Sequence, residues 1–233
     1  MAVSPSNISE SHTGTSGSVS EDSFSWTHTA ALNTRGALVF VFSEGSSGNN
    51  VIGVTYDGEA MTAVPGGRAV DTGGENGDCQ AWFLGRGTGS GSKTVVVTRT
   101  NNTDQMYAVC ATVVAGTVLT AVTGVVLLQE NQTLAEQNVD DGTPGTNSVR
   151  YAGCYSGDPA IAPAGVNSTA LHSIDLGARG FSVVRETTAG QGSRPVGFLN
   201  VLSDDVAAVH LAIKEDAQSP VPRAMASYRQ RRI

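Results

Sequence analysis

Apolar and polar residues alternate in short bursts along this chain, and the bursts are separated by clusters of Gly, Asn, Asp and Ser. In Ser23-Phe24-Ser25-Trp26-Thr27-His28-Thr29 the residues Phe24, Trp26 and His28 fall on one face and the hydroxyls on the other, a period of two that predicts a half-buried strand. Ala37-Leu38-Val39-Phe40-Val41-Phe42 is apolar on both faces and predicts a central strand covered on both sides. Val51 to Val64 predicts a hairpin, because two β-patterned stretches flank Asp57-Gly58, a strong signal for a type I′ turn. Similar stretches run from Gln80 to Leu84, Lys93 to Thr98, Met106 to Ala115, Thr123 to Gln129, Ser148 to Tyr155, His172 to Leu176, Phe181 to Glu186, Gly197 to Leu202 and Ala207 to Lys214. Thr133 to Thr146 is polar and ends in Pro144-Gly145, which predicts a loop with room for a short helical turn at Leu134 to Val139. The expectation is one all-β domain of about ten to twelve antiparallel strands, a sandwich or barrel. It occupies residues 23–216, after a polar lead-in at 1–22 and before an extended Pro- and Arg-containing arm at 217–233.

Composition supports that reading and narrows the function. Of 233 residues, 39% are apolar and 15% charged, with 28 glycines, enough to fill a core and turn the chain often. The net charge of −7 is divided unevenly: all 21 acidic and ten of the 14 basic residues precede residue 217, leaving about −11 there and +4 after it. An acidic body repels phosphate backbones and argues against a nucleic-acid platform, whereas the basic end suits an acidic protein partner. Arg223, Tyr228, Arg229, Arg231 and Arg232 are the candidate partner-binding residues. Met1 to Asp22 lacks the charged and apolar regions of a secretory signal, and no stretch approaches the roughly 18 apolar residues of a membrane helix. Synthesis in the cytoplasm, without membrane attachment, is the expectation. Cys79, Cys110 and Cys154 are too few and too far apart for a disulfide scaffold or a zinc site, although one pair has the option of a bridge.

The order of these segments is familiar. SFSWTHT (23–29), RGALVFVF (35–42), VIGVTYDGEAMTAV (51–64), CQAWFLGRGTGSGSKTVVVT (79–98), MYAVCATVVAG (106–116) and VAAVHLAIKED (206–216) resemble, over roughly residues 20 to 216, a group of jelly-roll sandwich proteins. That group is similar to concanavalin A-like and carbohydrate-binding-module folds and occurs among bacteriophage structural proteins and bacterial surface proteins. The resemblance implies a single jelly-roll β-sandwich and a structural place in a virion, most simply as a head decoration or minor capsid protein. Its partners would then be other capsid or tail proteins, in a homo-oligomer or symmetric array. The alternative it implies is a tail-associated fibre or receptor-binding module for host surface glycan, with Trp26 and Trp82 as candidate sugar contacts.

No catalytic or cofactor motif assembles. His172-Ser173-Ile174-Asp175 holds the residue types of a hydrolytic triad, but neighbours on a strand point to opposite faces. Gly85 to Thr94 hints at a phosphate loop, yet Ser92 separates Gly91 from Lys93 and a Val-rich strand follows where a helix is required. Asp71, Glu75 and Asp78, or Asp140 and Asp141, offer oxygen ligands for Ca²⁺ without the full loop pattern, so turn formation is the simpler role. A glycosidase needs two carboxylates about 5 to 9.5 Å apart, and Glu130, Glu136 and Glu186 are the pieces the sequence supplies. Tyr56, Tyr107, Tyr151 and Tyr155 complete the aromatic candidates for a sugar platform, all within apolar alternation that suits a core. Sequons at Asn7, Asn101, Asn131 and Asn167 match the glycosylation pattern by composition alone. A non-enzymatic protein without cofactor or metal is the expectation.

Overall fold

The doubly apolar run Ala37–Phe42 lies in the middle sheet of a three-sheet stack, and its two faces feed two different cores. The computed structural model describes residues 4–13, 23–44, 51–71, 77–100, 106–115, 119–142, 147–157, 162–175, 179–188 and 190–215, and contains no helix among them. The fourteen strands are β1 (Ser4–Thr13), β2 (Ser23–Ala30), β3 (Thr34–Glu44), β4 (Val51–Tyr56), β5 (Glu59–Ala60), β6 (Thr62–Val70), β7 (Gly77–Leu84), β8 (Gly91–Arg99), β9 (Met106–Val114), β10 (Leu119–Val139), β11 (Ser148–Ser156), β12 (Ser168–Asp175), β13 (Gly180–Glu186) and β14 (Arg194–Glu215). The middle sheet has the order β1-β9-β3-β7-β6, with β2-β8-β4-β5 on one side of it and β10-β14-β11-β13-β12 on the other. All pairings are antiparallel, and eight of the first nine strands form nested pairs, β4 with β5, β3 with β7, β2 with β8 and β1 with β9, while β6 adds to the edge at β7.

Strand alternation explains the layering. Val39 and Val41 of β3 point toward β4 and β8, where they join Val54, Tyr56, Val95, Val97 and Cys110 in one core. Leu38, Phe40 and Phe42 point the other way and meet Tyr151, Tyr155, Phe181, Val209 and Leu211 of the third sheet. Aromatic stacking knits that second core, with Tyr107 on Phe181 at 5.5 Å and Phe42 tilted against Phe181 at 5.4 Å. Rings at such separations add to what their area burial contributes. A third core covers the far face of the third sheet, where Leu134, Val139, Val196 and Phe198 join Ala152, Cys154, Val184 and Ala208.

Asp57 and Gly58 both adopt positive φ, at 55° and 80°, as a type I′ turn requires, and Tyr56 pairs with Glu59 across it. The second arm is brief: after Ala60 the chain leaves this sheet, and Thr62–Val70 pairs with β7 in the middle sheet.

Four expectations are corrected. Ser4–Thr13, expected within a lead-in, is an edge strand paired with β9. It carries few apolar residues, and such a strand is held by its ladder rather than marked by alternation. Thr133 to Thr146 is not wholly a loop, nor Leu134 to Val139 a helical turn, because β10 continues through Val139 opposite Arg194. Gly197 to Leu202 and Ala207 to Lys214 belong to one strand of 22 residues, and the described residues hold fourteen strands rather than ten to twelve. Both long strands absorb irregularity through bulges at Thr123/Val125 and Leu134/Glu136.

Candidate functional site

Two polar clusters stand out from the apolar layers, one sealed and one open. The sealed cluster centres on Arg150, which β11 carries on the same face as Ala152 and Cys154 with no exposed surface. Its Nε donates to the Val139 carbonyl at 3.0 Å, and Nη1 donates to Glu186 Oε1 at 3.1 Å and the Gly190 carbonyl at 2.8 Å. Nη2 donates to the Gly192 carbonyl and lies 3.4 Å from Asp141 Oδ2. Five donors thus face five acceptors, the condition under which a guanidinium survives burial. Glu186 also accepts from the Arg150 amide at 2.9 Å and from Arg194 Nε at 3.1 Å, while Asp141 accepts from Ser148 Oγ at 2.7 Å. Burial pushes the Glu186 carboxyl above its usual range, and the Arg150 and Arg194 guanidiniums pull it back. The cluster clasps the ends of β10 and β13, together with Gly190 and Gly192, onto β11. It is an interior brace, closed to any substrate.

Most sequence candidates turn out to be used in similar internal bonds. Glu136 accepts from the Asn167 amide at 2.7 Å, from Asn167 Nδ2 at 2.8 Å and from Ser168 Oγ at 3.0 Å, holding the turn that precedes β12. Glu186 and Asp141 belong to the Arg150 brace. Glu130 lies at a backbone position paired with Asp205. Asp78 accepts from Arg68 Nε at 2.7 Å and from Gln80 at 3.1 Å, and Asp140 accepts the Gly142 amide at 3.0 Å in a turn. Glu75 lies outside the described residues, among which no group of His, Cys, Asp or Glu has the makings of a metal site. His172 and Ser173 fall on opposite faces of β12, and His172 Nε2 lies 2.6 Å from Tyr107 Oη with the two rings stacked. Gly85 to Thr94 connects β7 to β8 and enters a strand at Gly91, so it has no helix N-terminus for a phosphate.

The aromatic candidates face inward. Trp26 stacks on Phe24 at 5.9 Å, and Trp26 and Trp82 both pack, partly buried, against the core between the middle and four-stranded sheets. Tyr56, Tyr107, Tyr151 and Tyr155 are buried to 1% exposure or less. None of the four tyrosine rings has an exposed face. The three cysteines are free and buried, so the option of a bridge is not taken. Arg223, Tyr228, Arg229, Arg231 and Arg232 lie outside the described residues.

The open cluster was not visible in the sequence. Tyr56, Asp57, Glu59, Leu84, Arg86, Gly87 and Thr88 line a cavity of about 220 Å³ where the β4–β5 turn meets the β7–β8 connection. Lys93 Nζ donates to Asp57 Oδ2 at 2.8 Å on its rim, and Arg86 forms an ion pair with Glu59. The Tyr56 ring is fully buried beside His28, at 5.9 Å between ring centres. Burial raises the Tyr56 hydroxyl well above its ordinary range, against a smaller opposing influence of Thr88 nearby. Neither the Tyr56 hydroxyl nor that of Thr88 has a partner of good hydrogen-bond geometry among the described residues. Residues 57–59 and 86–88 are separated by a whole strand excursion, which is why no motif spacing announces the site.

Comparison with known proteins leaves the geometry to speak for itself: no family model, curated protein or solved structure matches this chain.

Proposed function

We propose that the chain is a non-enzymatic structural protein of a bacteriophage particle, a head decoration or minor capsid component built on a jelly roll with a third sheet laid against it. The observation that carries the reading is the nested pairing of eight of the first nine strands, all but β6. Strands β1 to β4 paired with β9, β8, β7 and β5 form one long antiparallel ribbon. Rolling that ribbon sets β9 beside β3 and β8 beside β4, which divides it into two facing sheets. Two such sheets are the architecture of many viral capsid and lectin domains. The step from architecture to virion is one of analogy, resting on the order of sequence segments that resemble phage structural proteins. The use of Glu136, Glu186 and Asp141 in internal bonds supports a scaffold over a hydrolase.

Because Ser4–Thr13 is committed to the middle sheet, docking falls to the Arg-bearing segment after Asp216. Guanidinium forks there pair with carboxylates of a neighbouring subunit, and Tyr228 adds an apolar anchor. Deleting residues 219–233 is expected to remove most of the protein from purified particles, measured by quantitative mass spectrometry against the major capsid protein. Undiminished incorporation of the truncated chain would overturn the role of that segment. A tail-associated glycan-recognition module is the second reading, favoured by the polar cavity at Tyr56 and Thr88.

A further inference from the structure

We infer that the apolar groove between β6 and the start of β10 holds the chain's own Pro220-Val221-Pro222, which straps the segment after Glu215 to the body before its arginines begin. This goes beyond the virion reading and does not depend on it. β6 and β10 are edge strands of the middle and third sheets, and the seam between those sheets is open where they meet. Among the described residues it forms a groove of about 270 Å³. Val64, Phe83 and Leu119 make the buried floor, and Ala63 and Pro65 stand exposed at the rim.

Where β14 ends decides what reaches this groove. Glu215 donates its amide to the Asn147 carbonyl at 3.0 Å on one side and is the direct partner of Leu119 on the other. Directly paired residues of an antiparallel ladder have Cα atoms about 5 Å apart, so the chain leaves the fold beside a residue of the groove floor. Val221 lies six residues further on, within a reach of about 20 Å at about 3.3 Å per residue. Residues 216–233 lie outside the described residues, and Val221 with its flanking prolines is their first apolar run. Backbone chemistry points the same way. The β6–β7 ladder is broken between Ala63 and Arg68, and Pro65 has no amide hydrogen, so this stretch of edge is a poor template for an added strand. Pro220 and Pro222 have no N–H to offer a ladder either. A segment of that kind takes an extended polyproline form at low entropic cost and binds by its side chains in an apolar groove, where Phe83 supplies the ring. The volume is just below the roughly 300–1,000 Å³ of sites that engulf drug-sized ligands, which suits a tripeptide rather than a folded partner. A short tether holds the segment at about millimolar local concentration, so an intrinsic Kd of about 0.1 mM keeps the groove about nine-tenths filled.

The test uses the isolated full chain, so its outcome is separable from particle incorporation. Ala63→Cys places a thiol on the exposed rim, while the three native thiols are free but buried. Its alkylation by iodoacetamide under native conditions is followed by peptide mass spectrometry. Adding Val221→Asp is expected to speed that alkylation about tenfold, as the empty fraction of the groove rises from about one-tenth to nearly all. Adding Val221→Ile instead should leave the rim protected. A second arm combines Ala63→Cys with Val221→Cys under oxidised glutathione, and the expected product is a monomer whose two new thiols are bridged. Equal alkylation rates with and without Val221→Asp overturn the inference whatever the second arm gives. A disulfide-linked dimer as the main product also overturns it, because the groove then holds the segment of a second copy.

Discussion

His28 is the residue at which burial has the clearest thermodynamic consequence. It sits on the inward face of β2 with no exposed surface, its Nε2 3.4 Å from Thr112 Oγ1, and burial lowers its pKa from 6.5 to about 4. The unfolded chain therefore takes up a proton at a higher pH than the folded one, so stability rises with pH between these values and is lost as pH falls from 6.5 toward 4. The loss amounts to about 3 kcal/mol at full extent, at 1.36 kcal/mol per pKa unit. Urea unfolding midpoints measured from pH 7 to pH 4 should fall, and His28→Gln should flatten the decline; an equal slope in both proteins rules this assignment out. The sequence placed His28 beside Phe24 and Trp26, so its burial was legible from alternation. Arg150 was not: Ser148 to Tyr155 reads as a strand, but nothing in that pattern says what an arginine within it would meet. Its acceptors come from Val139, Asp141, Glu186, Gly190 and Gly192, remote in sequence except in the fold.

At the scale of elements, what the chain announces depends on how locally each element is determined. The β4–β5 turn needs two residues tolerant of positive φ, and Asp57-Gly58 states that need outright. The layers of β3 follow from its own six apolar residues. By contrast β1 and the far ends of β10 and β14 are strands because a distant partner pairs with them, and polar composition there conceals it. Close approach of sheets is equally non-local. Gly153 of β11 faces Phe40 of β3, and a Cβ at that glycine would lie 2.5 Å from Phe40 Cδ1. Gly153→Ala therefore overpacks the interface between the middle and third sheets, at an expected cost of about 1–3 kcal/mol. Phe40→Leu, harmful alone through the cavity it leaves, should be far less harmful beside Gly153→Ala. A double-mutant cycle from denaturant unfolding is expected to show coupling of about 1 kcal/mol or more, and strict additivity would mean that the sheets part freely at this point.

For the whole molecule, three stacked sheets raise the question of whether they unfold together. The chain supplies its own probes, because Cys110 lies between the four-stranded and middle sheets, Cys79 between the middle and third sheets, and Cys154 in the core beyond the third sheet. All three thiols are free and buried, and burial raises each thiol above its ordinary range, which suppresses the reactive thiolate. Labelling of any of them in the native state requires its own layer to open. The middle sheet contributes residues to two cores at once, so detaching either neighbour exposes one face of β3, β7 and β9 and forfeits a whole layer of contacts. Cost of that size couples the two layers, and Cys79 and Cys110 should label at one common rate equal to that of global unfolding, followed by peptide mass spectrometry under mild urea. Faster labelling of Cys154 alone would instead make the third core, closed by the ends of β10 and β14, a separately opening lid; faster labelling of Cys110 would do the same for the four-stranded sheet. A single rate for Cys79 and Cys110 is the outcome the shared middle sheet demands, since neither of the cores on its two faces can be exposed without uncovering strands that the other also uses.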